Sequence, residues 1–552
     1  MFDQESCGIF FMRMVWDVIV IGAGIGGLTA ASYLVKEGLR VLVLDRNPHI
    51  GGTAYVYHRQ GFTFPMGPLG FSHPDLVKKV FDELGIGEGL NFLRVHYRLR
   101  AFGLDGPLSL PFSEIAAELR NQFPSGAKGV ERFFRDIKKW ISNRELDPET
   151  QRPNPNLPLS ASEYLRKLIK DWRLRRILGS LGTREPYSNL PLLAAMWNLM
   201  CNVGIWFPEE GMKSFCERLK RAIEPIPNSD RMIRLNKGVT KIRVKHGKVE
   251  GVTLEDGNEI DAPYVISNAD YRTTFLKLLD SHTIPSKWYQ AISNAPLTSS
   301  IFQVCLGIDP NKIDLSLFKE ASRVIYRRKF DMDQEEEKID WTQSKIDPRG
   351  LACQEIEVSL WGNRREKEAK TSIILRVEAN YDHFARYRLG WRKRSQEYQN
   401  YKTQLAQGIV REVAHLVPGL ENSILIMDVA TPLTFEDQGG RSQGAVAGWS
   451  WNYEDFRDDE PKELILTPIK GLYMNRLSSL LSPFYGRNSH SVGEWKTSCP
   501  SPYLRHRSHP KDSDSRRSVW RNLTSDLSLR TSKLPYPGLK KCGSFFEIIG
   551  SK

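Results

Sequence analysis

The chain has 552 residues, is 40% hydrophobic and carries 78 Lys or Arg against 65 Asp or Glu, a net charge of +13. It is long enough for two or three domains with a sizeable core, and no run approaches the roughly eighteen consecutive apolar residues of a membrane-spanning helix. Fourteen of the Lys and Arg and five of the acids fall after Met474, so the first 474 residues hold only +4 and a nucleic-acid role loses its support.

The seven cysteines include no C-x-x-C pair, which points to free thiols in a reducing compartment and a cytoplasmic protein. Neither zinc or iron–sulfur spacing nor H-E-x-x-H occurs, so no metal site is expected. Residues 1–13, MFDQESCGIFFMR, lack the basic start of a signal peptide and read as an overextended start or a disordered leader, with the folded motif opening at about Met14.

Val18 to Ile21 is a short apolar β-branched run that suits a parallel strand covered on both faces. Gly22, Gly24 and Gly27 follow in the order G-x-G-x-x-G. At that spacing the first glycine makes the tight turn, the second lets the backbone approach a pyrophosphate, and the third lets the next helix pack against the strand. Leu28, Ala31, Leu34 and Val35 form the apolar face of that helix, Gly38 ends it, and Val41 to Leu44 returns as the second strand. Asp45 closes this strand 23 residues after Gly22, where an acid accepts hydrogen bonds from a ribose. Strand, helix and acid together predict a dinucleotide site at Gly22, Ala23, Gly24, Gly26, Gly27 and Asp45, the phosphates sitting at the positive helix N-terminus.

After Asp45 comes DRNPHIGG, which resembles the acid, base and glycine-pair signature of the two-dinucleotide-binding-domain flavoproteins. GFTFPMGPLGF, Gly61 to Phe71, is similar to the next segment in the phytoene desaturase, carotenoid isomerase and retinol saturase group, with Pro65 where many members have an acid. This resemblance implies that the dinucleotide is FAD and adds Arg46, Gly51, Gly52, Thr53 and Gly67 to the cofactor contacts.

From Asp75 to about Trp140 the spacing predicts helices, including Ser113 to Phe123 and Gly129 to Ile141. Asp147 to Ser160 reads as a proline-rich surface loop, after which Ser160 or Ser162 caps another helix. Tyr187 to Phe207 contains no charge. Its Met196, Trp197, Met200, Trp206 and Phe207 suit either an ordinary buried helix or the wall of a pocket for a long apolar substrate.

From Met232 the alternation of apolar and polar residues, broken at Lys245 to Lys248 and at Asp256-Gly257, predicts a β-meander. The resemblance implies an adenine contact through the backbone of Val239, and Val265 to Asp270 is similar to the strand-to-loop segment of the phytoene desaturase group. Asp331 to Asp340 reads as a solvated acidic loop. Arg386, Tyr387, Arg388, Trp391, Arg392, Lys393 and Arg394 form a basic and aromatic cluster that suits a solvated helix face or a peripheral contact with an anionic membrane. Ala430 to Asn452 and Thr467 to Met474 again resemble the family, and the likeness stops at Met474. Residues 475–552, with sixteen serines, read as a disordered basic tail, produced either by a shifted reading frame or by a genuine membrane- or anion-binding extension.

The expected fold is α/β: a Rossmann-like FAD-binding domain with a parallel sheet and a β-meander (14–75, 231–285 and 420–474), and a discontinuous α+β substrate domain (76–230 and 286–419). The resemblance implies an FAD-dependent oxidoreductase that desaturates, saturates or isomerises carbon–carbon double bonds of a carotenoid- or retinoid-like isoprenoid. Such a reaction is hydride exchange with the flavin N5, and it asks little of side chains. No catalytic acid or base is assigned. The alternatives are a flavin amine oxidase-like enzyme, a non-catalytic prenyl-binding protein resembling the Rab GDP-dissociation inhibitors, and an inactive relative altered at its C-terminus.

Overall fold

The computed structural model describes residues 16–67, 70–141, 160–181, 190–224, 232–328, 351, 354–361, 370–446, 448 and 467–474. The leader, the 147–159 loop, the acidic loop at 331–340 and the 475–552 tail lie outside the described residues.

Strand β1 (Val18–Ile21), helix α1 (Ile25–Lys36) and strand β2 (Val41–Leu44) form the predicted βαβ unit. They belong to a five-stranded sheet in the order Leu472–Met474, Tyr264–Ser267, β1, β2, Ile233–Arg234, parallel throughout. Its strands are apolar on both faces because both faces are covered. Val18, Val20, Val41 and Val43 pack on the side of α1, against helices Pro74–Glu83 and Gly211–Ile223. Ile19, Ile21, Leu42 and Leu44 point the other way, into a core shared with Ile242, Val252, Tyr271 and Phe275. That second core lies under the meander Val239–Lys245, Lys248–Leu254, Glu259–Asp261, whose first turn holds His246 and Gly247 at positive φ, the hairpin geometry expected there.

The second large sheet has seven strands: Ile424–Ala430, Ser300–Ile308, Ser372–Ala379, Ile356–Trp361, Arg323–Tyr326, Tyr97–Ala101 and Leu104–Pro107. All its pairings are antiparallel except Arg323–Tyr326 with Tyr97–Ala101. Helix Gln396–Ala414 covers one face through Leu405, Ile409 and Val413. Strand Ile424–Ala430, expected with the nucleotide-binding part, belongs to this sheet instead, because its backbone pairs with Ser300–Ile308. Helical periodicity from Asp75 to Trp140 is likewise interrupted. Phe92–Val95, Tyr97–Ala101 and Leu104–Pro107 are strands: the first two pair with strands from distant parts of the chain, and the third closes a hairpin on Tyr97–Ala101.

A cluster of helices, Phe112–Gln122, Ala127–Ile141, Ala161–Leu168, Trp172–Ser180 and Leu190–Asn198, buries a third core. Ser160 is the cap of the third of these, its hydroxyl accepting from the Glu163 amide at 3.3 Å.

Candidate functional site

The site is built at the C-terminal ends of β1 and β2, the edge at which open parallel sheets bind ligands. Gly22, at φ +99°, turns the chain and donates its amide to the Leu44 carbonyl at 2.7 Å. Gly24 is the N-cap of α1. A Cβ at position 27 would lie 1.9 Å from the Gly22 carbonyl oxygen, so only glycine lets α1 pack this close to β1.

The glycine pair comes back onto this turn. The Gly51 amide donates to Ala23 O at 2.8 Å, Gly51 bridges Gly24, and a Cβ on Gly52 would stand 3.0 Å from the Gly24 Cα. Thr53 follows in the short turn Gly52–Ala54, and Gly67 packs so closely on it that a Cβ there would lie 2.3 Å from the Thr53 carbonyl oxygen. Five of the expected positions, Gly22, Gly24, Gly51, Gly52 and Thr53, thus form one side-chain-poor surface beside the N-terminus of α1, with Ala23, Gly26 and Gly27 completing the turn. Asn268, at the end of the neighbouring strand, faces it. Its amide donates to Ile21 O at 2.8 Å, and its Nδ2 lies 3.0 Å from where a Gly24 Cβ would be. The strand-to-loop pattern alone does not single out Asn268, whose place is set by the register of its strand against β1.

Asp45 is buried where β2 ends. Its Oδ2 accepts from the Ala23 amide at 2.7 Å and its Oδ1 from the Asn47 amide at 2.8 Å. Burial nevertheless pushes the carboxyl above the usual aspartate range, against the two amides, which pull it down. The Asp45 carbonyl accepts from the Lys237 amide at 2.8 Å, which brings the chain leading into strand Val239–Lys245 to the same corner.

Arg46 is held from across the chain. Its guanidinium donates to the carbonyls of Asp437 (3.2 Å) and Glu436 (3.5 Å) at the end of helix Pro432–Gly439, and lies 5.2 Å from the Trp391 ring centre. A cation at a helix C-terminus satisfies carbonyls that have no partner within the helix. Arg46 therefore ties this helix to the glycine turns.

In the same corner, Asn47 Oδ1 and His49 Nδ1 are buried without a hydrogen-bond partner among the described residues, while the His49 ring stacks on Tyr55 at 3.5 Å. Buried polar atoms are rarely left unpaired. Together with the close glycine turns, these two atoms suit a polar ligand such as a dinucleotide.

The segment after Gly61 is gripped by the second sheet. Gln303 and Arg376 stand opposite each other on paired strands. Gln303 Nε2 donates to Pro65 O at 2.8 Å, Arg376 Nε donates to Gln303 Oε1 at 2.8 Å, and the Arg376 guanidinium also donates to Gly67 O. No local pattern marks this pair, since the strands carrying it lie more than 230 residues beyond the segment they hold.

The five apolar pocket candidates divide between a helical core and a neighbouring strand. Met196, Trp197 and Met200 are buried in the helical core, where Trp197 packs on Phe133 and Phe134 and donates its indole N–H to Leu178 O at 2.8 Å. Trp206 and Phe207 are half-buried on strand Ile205–Pro208, where Trp206 exchanges backbone hydrogen bonds with Phe71 and Phe207 meets Trp361 edge-on at 5.0 Å.

The basic and aromatic cluster is not a helix face. It contains a hairpin, Arg388–Gly390 with Lys393–Arg394. Arg388 pairs with Glu436 (2.5 Å) and Asp437 (2.9 Å), and Arg394 pairs with Asp437. Among the described residues no group of three or more His, Cys, Asp or Glu is placed to hold a metal ion, and no helix is long and apolar enough to cross a membrane.

A parallel βαβ sheet with a glycine cradle and a strand-end acid defines a dinucleotide-binding α/β protein. The chain belongs to the family described as flavin containing amine oxidoreductase, whose model matches residues 25–318, more than half of its length. It is 26% identical over 519 residues to the chloroplastic prolycopene isomerase of Daucus carota, covering 85% of this chain and 77% of that one. It is 27% identical to the lycopene-forming phytoene desaturase of Pseudescherichia vulneris over 53% of this chain and 63% of that one. To the inactive all-trans-retinol 13,14-reductase of Danio rerio it is 24% identical, over 83% and 82%. An oxidoreductase from Methanosarcina mazei (16% identical, TM-score 0.55, covering 83% of this chain and 93% of that one) shares the fold, as does a putrescine oxidase bound to putrescine (15%, 0.55, 84% and 93%). The chain is thus a flavoprotein of the group expected from DRNPHIGG and the segment after it, and its cofactor is FAD.

Proposed function

We propose that this chain is an FAD-dependent oxidoreductase acting on carbon–carbon double bonds of a carotenoid- or retinoid-like isoprenoid. One structural observation carries the cofactor half of this reading: the approach of Gly24 to Gly52, beside an acid at the end of β2. The substrate half is supported by the names of the relatives, a prolycopene isomerase and a phytoene desaturase, beside an inactive all-trans-retinol 13,14-reductase.

Gly24 and the N-terminus of α1 would face the pyrophosphate, with Gly22, Ala23, Gly26 and Gly27 shaping the turn that lets it approach and Gly51, Gly52 and Thr53 closing over it. Asp45 keeps lone pairs beyond those used by the Ala23 and Asn47 amides and would accept from ribose hydroxyls. The backbone of Val239 would border the adenine, while Arg46 and Gly67 would hold the rim. When bound, FAD supplies hydride exchange with the substrate. The protein's contribution is to bind, orient and exclude water, and no side chain is assigned as acid or base.

Purified protein should show absorbance bands near roughly 370 and 450 nm, as oxidised flavins do, and should shift the absorbance of an added carotenoid or retinoid as its conjugation changes. A folded, flavin-free protein would overturn the cofactor assignment. Turnover of amines with none of polyenes would move the reading to the amine oxidase side of the family.

A further inference from the structure

The hairpin Arg388–Gly390 and Lys393–Arg394 exposes two large apolar side chains two residues apart, Leu389 at 69% and Trp391 at 56%. These are among the most exposed large hydrophobic residues described, and Arg386, Arg392 and Lys393 lie within three residues of one or the other in the sequence. Arg388 and Arg394 are neutralised by Glu436 and Asp437, whereas Arg386, Arg392 and Lys393 have no carboxylate within salt-bridge distance among the described residues. Arg46 and Arg392 stand on the one indole, at 5.2 and 5.6 Å from its centre, so the apolar tip is also a concentration of positive charge. Apolar side chains ringed by Arg and Lys, with a tryptophan among them, match the boundary of an anionic bilayer, where indole sits at headgroup level and cations meet lipid phosphates.

We propose that this hairpin docks the protein on an anionic phospholipid surface. A rigid anchor is available, since Arg388 and Arg394 fasten the hairpin to helix Pro432–Gly439, which Arg46 in turn fastens to the glycine turns. Docking would therefore hold the cofactor-binding body at a fixed attitude to the lipid. The purpose of such docking rests on the proposed lipid-soluble substrate, but the docking itself does not require that substrate.

The test is flotation of the full chain with vesicles of phosphatidylcholine alone and of phosphatidylcholine mixed with phosphatidylglycerol, with flavin absorbance recorded in parallel. The parent should float with the anionic vesicles and not with the neutral ones. The Leu389→Ser/Lys393→Glu variant should lose that binding about tenfold or more, with its flavin absorbance and melting temperature unchanged, because both residues are exposed. A brominated phosphatidylcholine added to the anionic vesicles should quench the parent's tryptophan fluorescence, and Trp391→Phe should remove most of that quenching. A double variant that floats like the parent, as it would if residues 475–552 alone held the lipid, overturns the assignment, as does a parent that stays with the soluble fraction. Loss of flavin with vesicle binding intact would count against the proposed function and leave the docking assignment standing.

Discussion

The backbone amide of Ala23 donates to Asp45 Oδ2 across 2.7 Å, joining the turn after β1 to the carboxylate that ends β2. Asp45→Asn keeps one acceptor where the carboxylate had two, so one of the Ala23 and Asn47 amides is left facing a donor. Stability should fall by about 1–3 kcal/mol. The pH dependence has a definite sign. Because burial raises the folded-state pKa of Asp45 above the ordinary 3.8, the folded form binds its proton first, and this group's contribution rises as pH falls through the raised value, levelling off below 3.8. Denaturant melts of parent and variant across that window should therefore diverge towards acid. A gap that narrows instead would show the carboxyl pKa to be lowered.

Two neighbouring glycines should fail in different ways. Gly27→Ala places a methyl 1.9 Å from the Gly22 carbonyl oxygen, a clash that only displacement of α1 relieves, and overpacking of this kind costs about 1–3 kcal/mol. The Cβ of Gly24→Val meets mainly the Asn268 side-chain amide, at 3.0 Å, rather than the backbone of β1. Its expected signature is a chain that melts near the parent temperature but purifies without flavin absorbance. Full flavin content in that variant would displace the proposed cofactor site.

Arg376 and Gln303 act on the 65–67 segment as a unit. Each single change, Arg376→Met or Gln303→Leu, should cost about 1–3 kcal/mol by leaving buried partners unpaired. Since the second change removes a group already orphaned by the first, the double variant should cost less than the sum, with a coupling of about 0.5–3 kcal/mol. Additive losses in a double-mutant cycle would deny the pairing.

Trp197 offers a choice between core and pocket. It is fully buried against Phe133 and Phe134, so Trp197→Ala should lower stability by about 3–5 kcal/mol. A variant with parent-like unfolding and weakened polyene binding would instead return it to a substrate pocket.

Burial pushes the thiols of Cys201, Cys216 and Cys305 up to about 12. All three should resist a thiol-directed reagent at pH 8 in the native state and react once the chain is unfolded. Rapid labelling of any of them in the folded protein would contradict their buried environment.

Much of the nucleotide-binding half was legible because its signals are local. Valine and isoleucine on both strand faces, three glycines at set intervals and an acid at a strand end lie within 28 residues of one another, from Val18 to Asp45. The likeness of DRNPHIGG to a flavoprotein signature then named the cofactor. Three things were not legible from one sequence. Arg46 reads as a cofactor-side base and also caps a helix 390 residues away, the 65–67 segment is held by strands Ser300–Ile308 and Ser372–Ala379, and the 386–394 cluster contains a hairpin in which Arg388 and Arg394 are ion-paired. Periodicity and spacing report which face of an element is apolar, and so determined the βαβ unit, the meander and the capped helices. They carry no information on which distant carbonyl or carboxylate a polar side chain will meet. That was decided by the packing of the two sheets, which brings residues hundreds of positions apart within hydrogen-bond reach.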